Sequence, residues 1–310
     1  MECMASAPPP TGTIMRHDRL LRALAAWSVP LDRAEPLPGG WNSLTWLVTS
    51  TTGERYVAKL ADTEGASAFR SGLRVATRVQ AGGLTSGAPV PLPGGELVTT
   101  LDEGVLALLE YVPGRAPDIA SSPDLRRMGA LLARAHRVLG DGAEDLGEEH
   151  RWPWPWVSGC LRELNMPEHV RRAAGRVMEE AREAAPLLRV GVVHGDPGPG
   201  SFRLSEHSPG RDGLIDWGAV LQAPVLYDVA CAAVLTRDTP QALRHFLDGY
   251  RTVDPSVARD LDHLDLFVRV RWMANAIYFA DRIARGVRRG PGGPAANEEG
   301  LAEAYAGMRA

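Results

Sequence analysis

The sequence predicts an α+β fold in two unequal lobes, a small β-sheet lobe at the N-terminus and a larger helical lobe after it. Three observations predict it. Short apolar runs of strand type fill the first third of the chain and are interrupted by one amphipathic helix. Pro113-Gly114 then breaks the pattern, and most segments beyond it repeat apolar residues at helical spacing. Inside the helical part, two acidic motifs twenty residues apart, His194-Gly195-Asp196 and Ile215-Asp216-Trp217, bracket a strand–turn–strand pattern.

Residues 15–28 place Leu20, Leu21, Leu24 and Trp27 at helical spacing and stop at Pro30. Strands follow at 44–49 and 54–60, joined by a turn at Gly53. Residues 66–80 read as a helix with Phe69, Leu73, Ala76 and Val79 on one face and Arg70, Arg74 and Arg78 on another, ended by Gly82-Gly83. Pro89, Pro91 and Pro93 punctuate an extended segment before strands at 96–100 and 104–110. Ser122-Pro123-Asp124 opens the first helix of the second lobe with a cap and a first-turn proline. Further helices are expected at 166–185, 227–236, 241–250 and 255–287, and an apolar run at 189–193 leads into His194. The stretch 288–297 is rich in Gly and Pro, with room for a short helix after it.

Between the acidic motifs, Phe202, Leu204, Leu214 and Ile215 form the strands and Ser208-Pro209-Gly210 the turn. A hairpin centred on Pro209 sets Ser201 opposite Trp217 and returns Asp216 to the neighbourhood of Asp196 and Ser201. Two carboxylates and a hydroxyl at the open end of a hairpin suit a hydrated divalent cation and a proton acceptor, the equipment of phosphoryl transfer. The bland alternative, a turn aspartate capping its own loop, leaves Asp216 unexplained.

Of 34 basic residues only Lys59 is a lysine, and it lies on a predicted strand. Where arginine fills every other position, a compact ammonium at this one suits contact with phosphate oxygens better than chance survival explains it.

The composition bounds the class. Hydrophobic residues at 45% and charged residues at 23% fit an ordinary globular chain, and 310 residues suffice for a large core. A net charge of −4 excludes a globally basic nucleic-acid binder. Cys3, Cys160 and Cys231 have no CxxC spacing and read as reduced thiols. No apolar run is long enough to span a membrane, and the proline-rich segment 1–12 reads as a frayed tail, not a signal peptide. These readings point to a cytoplasmic protein with no nucleic-acid or membrane partner.

These residues resemble the aminoglycoside phosphotransferase and choline kinase-like family, a branch of the protein kinase-like fold. His194-Gly195-Asp196 followed by Ser201 is similar to its catalytic loop, Leu214-Ile215-Asp216-Trp217 to its metal motif, and Asp228 to the aspartate that braces the loop. The resemblance implies residues 1–14 as a flexible tail, 15–112 as a nucleotide-binding lobe and 113–310 as a catalytic and acceptor-binding lobe. It implies Asp196 as general base, and Asp216 with Ser201 as ligands of Mg²⁺. Lys59, Gly40, Asn42 and Ser43 would meet the phosphates of ATP or GTP, and the backbone of Glu110 to Val112 the base. The acceptor would be a small hydroxylated molecule, with antibiotics (aminoglycosides, nucleosides or other sugar-containing compounds) as the leading class and resistance as the outcome.

Two departures stand out. Ser201 occupies the family's asparagine position; a hydroxyl can ligate magnesium but is shorter than an amide. No Asp or Glu lies between Gly65 and Gly95, so the first-lobe helix lacks a glutamate for Lys59. Asp62, Glu64 or Asp216 are the candidates to replace it. Both departures motivate a second reading, a nucleotide-binding pseudokinase or regulatory module. A third, a metal-dependent hydrolase, conflicts with the lone lysine and the two-lobed pattern.

Four further features have competing readings. Trp152-Pro153-Trp154-Pro155-Trp156 reads as a connector packed on the core before a substrate platform. Arg271, Asn275, Tyr278 and Asp281 share a helix face that is either acceptor wall or solvated surface. The acidic run Glu144-Asp145 and Glu148-Glu149 either attracts a cationic substrate or is a solvated loop. The Arg70–Arg74–Arg78 stripe reads as solvated.

Overall fold

The computed structural model describes residues 17–37, 43–287 and 293–309. Helix α1 (His17–Leu24) is followed by β1 (Leu31–Leu37), β2 (Ser43–Ser50), β3 (Arg55–Asp62), α2 (Ala66–Ala81), β4 (Thr99–Leu101) and β5 (Gly104–Glu110). The strands form one antiparallel sheet in the order β1-β2-β3-β5-β4. Period-two alternation divides it. Trp46, Val48, Ala58, Leu60, Leu106 and Leu108 pack on Leu20, Leu24 and Trp27 of the α1 segment. Ala61, Val105 and Ala107 pack on Phe69 and Leu73 of α2. Lys59 therefore stands on the α2 face, between Thr45 and Ala107 in register.

Strand β1 is not expected from sequence, and its burial explains why. Only Ala34 is buried along it, and it carries Asp32, Arg33, Glu35 and Pro36. An edge strand with one neighbour tolerates proline and charge, and loses the alternation by which strands are found.

The second lobe begins with α3 (Ser122–Leu139), whose N-cap is Ser121, one residue earlier than expected, with its hydroxyl accepting from the Asp124 amide. Helices α4 (Pro155–Glu163) and α5 (Glu168–Ala184) follow, and then two short strand pairs. Strand β6 (Val190–Val193) pairs with β9 (Leu221–Pro224), and β7 (Phe202–Arg203) with β8 (Gly213–Leu214). The β7–β8 register is symmetric about Ser208, so Ser201 lies opposite Ile215 and not Trp217, confirmed by the Ile215 amide donating to the Ser201 carbonyl at 2.8 Å. Helices α6 (Leu226–Leu235), α7 (Pro240–Val253), α8 (Leu264–Ala284) and α9 (Gly293–Gly307) complete the lobe. The expected helix 255–287 is broken at its start: Pro255–Arg259 and Leu261–His263 are 3₁₀ turns, the first capped by the Asp254 carboxylate on the Ser256 amide.

Trp154 is fully buried, donates its indole N–H to the Gln222 carbonyl at 2.7 Å and meets Tyr227 edge-on. The tryptophan run is thus a connector on the core. The arginine stripe is not simply solvated. Arg78 bonds Glu144 and Asp145 at 2.8 and 3.1 Å and the carbonyls of Leu139 and Gly142, while Arg74 reaches the Asp145 carbonyl. These contacts fasten α2 to the second lobe and consume half of the acidic run. Cys231 is a free, buried thiol, as expected.

Gly72 is where α2 meets the acidic turn. A Cβ there would lie 2.3 Å from the Trp217 carbonyl oxygen, a backbone atom that cannot swing away. Gly72→Ala is expected to cost about 1–3 kcal/mol through overpacking, read as a lower midpoint in chemical denaturation. A midpoint equal to wild type would show the contact to be loose.

Candidate active site

Strand β6 delivers the chain into His194-Gly195-Asp196, and a buried carboxylate fixes that turn. Asp228, at the start of α6, accepts from the amides of His194 and Gly195 at 2.8 and 2.9 Å and from His136 Nε2 at 2.9 Å. His136 is held in turn by the Tyr250 hydroxyl at 2.7 Å. Burial by itself would raise the Asp228 carboxyl, but its bonds from His136 and the loop amides outweigh that and hold it below the usual range. Gly195 has φ +84°, and a Cβ would fall 1.9 Å from the Ala219 carbonyl, so only glycine passes here. His194 turns inward, with Nε2 2.9 Å from the Ile215 carbonyl and its ring against Trp217. Those contacts give it a structural role.

Asp216 occupies a left-handed conformation, φ +65°, between β8 and the Trp217 turn. A non-glycine residue in this region is uncommon and is held only by its surroundings. Its Oδ1 lies 2.5 Å from Lys59 Nζ, so strand β3 and the acidic turn meet across the cleft. Burial would raise the Asp216 carboxyl; the Lys59 ammonium outweighs this and holds it below the ordinary carboxylate value. Of the three candidates to pair with Lys59, the structure selects Asp216. Glu64 is paired with Arg285 at 2.7 Å, and Asp62 accepts from the Gly65 amide before α2. The inner face of α2 (Phe69, Gly72, Leu73, Ala76) is apolar and lines a small cavity shared with Lys59 and Asp216.

Ser201 is 7% exposed, and its hydroxyl is 3.4 Å from the Asp196 carbonyl. The hairpin brings it beside the Asp216 turn, as expected. Ser43 opens β2 opposite Ala61. Glu110 ends β5 with its amide spent on the Ala88 carbonyl, and Val112 is buried with no backbone partner for its amide among the described residues. Gly40 and Asn42 lie outside the described residues.

One contact was not anticipated. Arg271 on α8, noted from its helix face only, places Nη2 2.5 Å from Asp196 Oδ1 and Nη1 3.1 Å from the Gly195 carbonyl. Tyr227 hydroxyl lies 3.4 Å from the same guanidinium. Burial opposes the charge on Arg271, while the Asp196 carboxylate beside it outweighs that and holds it well above the ordinary arginine value. Burial also pushes the Cys231 thiol and the Tyr227 phenol far upward, so both are neutral and Asp196 is the charge that matters. Asp196 itself is 61% exposed and Arg271 18%, and Arg271 engages Oδ1 of the two carboxylate oxygens.

A carboxylate with one oxygen unpartnered among the described residues, a second carboxylate held by an ammonium and an enclosed hydroxyl can together bind a metal–polyphosphate and accept a proton. Residues 33–261 match the profile of the Phosphotransferase enzyme family. The chain belongs to that family. It is a phosphotransferase with an alcohol group as acceptor, of the protein kinase-like α+β fold. Solved structures carry the same fold. An amicoumacin kinase in complex with AMP-PNP, Ca²⁺ and amicoumacin superposes with TM-score 0.70 at 16% identity, over 95% of this chain and 93% of its own. The choline kinase LicA from Streptococcus pneumoniae gives 0.68 at 17% identity, over 94% and 98%. A spectinomycin phosphotransferase in complex with ADP and spectinomycin gives 0.64 at 12% identity, over 96% and 99%. No curated protein matches the chain in sequence. Among the described residues, no helix is long and apolar enough to cross a membrane.

Proposed function

We propose that the chain transfers the γ-phosphoryl group of ATP or GTP to a hydroxyl of a small acceptor, with an antibiotic as the leading class. The observation that carries this reading is the convergence of Lys59, Asp216, Ser201 and Asp196 from separate elements onto one cleft. The nucleotide side would be the lobe up to Val112, with Lys59, Gly40, Asn42 and Ser43 at the phosphates and the backbone of Glu110 and Val112 at the base. The remainder would hold the acceptor.

In this reading the acceptor hydroxyl hydrogen-bonds the free oxygen of Asp196. Its proton passes to that carboxylate as the hydroxyl oxygen bonds the γ-phosphorus and the bond from phosphorus to the leaving diphosphate oxygen breaks. Asp216 and Ser201 would each offer an oxygen donor, and the Lys59 ammonium favours the ionised form of Asp216, which fits Mg²⁺. When bound, the metal would offset phosphate charge. Lys59 would carry the same task from the strand side, and the Asp228 network keeps the Asp196 turn fixed while the acceptor docks.

A second reading has its own observation. Both acids are ion-paired within the chain, Asp216 by Lys59 and Asp196 by Arg271, as suits a nucleotide-binding module with little catalysis. Consumption of ATP and of GTP, titrated with Mg²⁺ and with a panel of hydroxylated antibiotics, separates the two. Acceptor-stimulated consumption supports transfer; tight nucleotide binding without consumption across the panel supports the module. Lys59→Arg is expected to lower kcat/KM for nucleotide about tenfold, because a planar guanidinium cannot replace a point charge between phosphate oxygens. Unchanged constants would make the lone lysine incidental.

A further inference from the structure

Arg271 is held from three sides: by a main-chain carbonyl at 3.1 Å, a buried phenol at 3.4 Å and Asp196 Oδ1 at 2.5 Å. Two of the three contacts do not depend on Asp196, so the guanidinium stays in place when that carboxylate turns to a substrate. Its helix is anchored on both sides of it, through Arg269 to Glu180 of α5 at 2.7 Å and through Arg285 to Glu64 at 2.7 Å. A fixed cation on one carboxylate oxygen sets the direction of the other.

The charge balance around Asp196 points the same way. Arg271 matches the Asp196 carboxylate one to one, and Lys59 matches Asp216 in the same way. That pair of acids keeps no surplus negative charge to receive an ammonium group. Asn275 and Tyr278, neutral and half-buried, follow Arg271 on the same face of α8.

We propose that Arg271 is the positioning residue for Asp196 and, from the same place, the cation that favours neutral or anionic hydroxylated acceptors over those with an ammonium group beside the reacting hydroxyl. The proposal rests on Asp196 serving a phosphoryl transfer, as argued above.

The test uses the full chain with Mg²⁺ and ATP, first with water as acceptor and then with three matched three-carbon diols: glycerol, glycerate and 3-aminopropane-1,2-diol. Arg271→Gln is expected to lower kcat for hydrolysis about 10–10²-fold with KM for ATP within about twofold, because an orienting contact and not nucleotide binding is lost. Arg172→Gln, which removes an exposed arginine of α5 paired with Glu168 of the same helix, should leave kcat unchanged. With the wild-type chain, glycerol and glycerate should exceed the amine at least about tenfold in kcat/KM, and Arg271→Gln should reduce that gap to about threefold or less. Arg271→Lys keeps the charge, and with it the preference, at a reduced kcat; it also answers a Gln variant that fails to fold. Wild-type kcat in Arg271→Gln would overturn the positioning role, and the amine as preferred acceptor of the wild-type chain would overturn the selective one. Failure of the underlying reading looks different: hydrolysis that survives Asp196→Asn, or no hydrolysis by the wild-type chain.

Discussion

Asp196→Asn is expected to reduce acceptor-stimulated turnover at least about 10²-fold, the usual size of a general-base contribution, with nucleotide binding and melting temperature close to wild type. The structure explains why the effect should fall on kcat alone. Asp196 is 61% exposed, and its carboxylate meets the fold through Arg271, which the Gly195 carbonyl and the Tyr227 hydroxyl also hold. The turn that carries it is fixed from below by Asp228 and by the glycine at 195, neither of which the substitution touches. An amide keeps the shape and one acceptor oxygen but cannot take a proton. Rapid-quench or steady-state kinetics with a saturating acceptor reads the loss directly. A variant with full rate would remove Asp196 from the chemistry.

Asp228→Ala should be the most destabilising single change in the site. The carboxylate is fully buried and receives two backbone amides and an imidazole, so its removal strands three donors at once. Breaking a buried, hydrogen-bonded charge typically costs about 3–5 kcal/mol. For a chain of this size that lowers the melting temperature on the order of 10 °C. Asp228→Asn, which keeps an acceptor oxygen, should cost less, about 1–3 kcal/mol. The pH dependence follows from the depressed carboxyl. A carboxyl held lower in the folded chain than in the unfolded one stabilises fully above the unfolded value of about 4. That contribution disappears as pH falls through the folded value. Wild type and Asp228→Ala should therefore differ most above about pH 5 and converge in acid. A difference in midpoint that is constant from pH 3 to pH 7 would contradict this assignment.

The parts legible in the sequence are those encoded locally. Lys59 could be placed because strand alternation puts it on a defined face, and Asp196 and Asp216 because a short hairpin returns one to the other. Even there the register moved by two positions, since the turn centres on Ser208 and not Pro209. Strand β1 was missed because an edge strand carries charge and proline at no cost. The Arg271–Asp196 pair joins residues 75 apart, and the Arg78–Glu144 tie residues 66 apart. Neither α8 nor α2 carries a local signal of its partner. Arginines at helical spacing look solvated until the opposite wall is known, and the acidic run, open to both a cationic substrate and a solvated-loop reading, is half taken by Arg78. The apolar inner face of α2 was visible as a missing glutamate, but not that Asp216 would take its place beside Lys59.

The most direct measurement of the central claim is the fate of the γ-phosphoryl group. ³¹P NMR of the chain with Mg²⁺, ATP or GTP and a hydroxylated antibiotic panel, run beside Asp196→Asn, follows the phosphorus itself. The account predicts a phosphomonoester resonance on an acceptor, growing as nucleoside diphosphate appears and absent in the variant over the same interval. Nucleotide cleaved only to inorganic phosphate with every acceptor, at the same rate in Asp196→Asn, would contradict it.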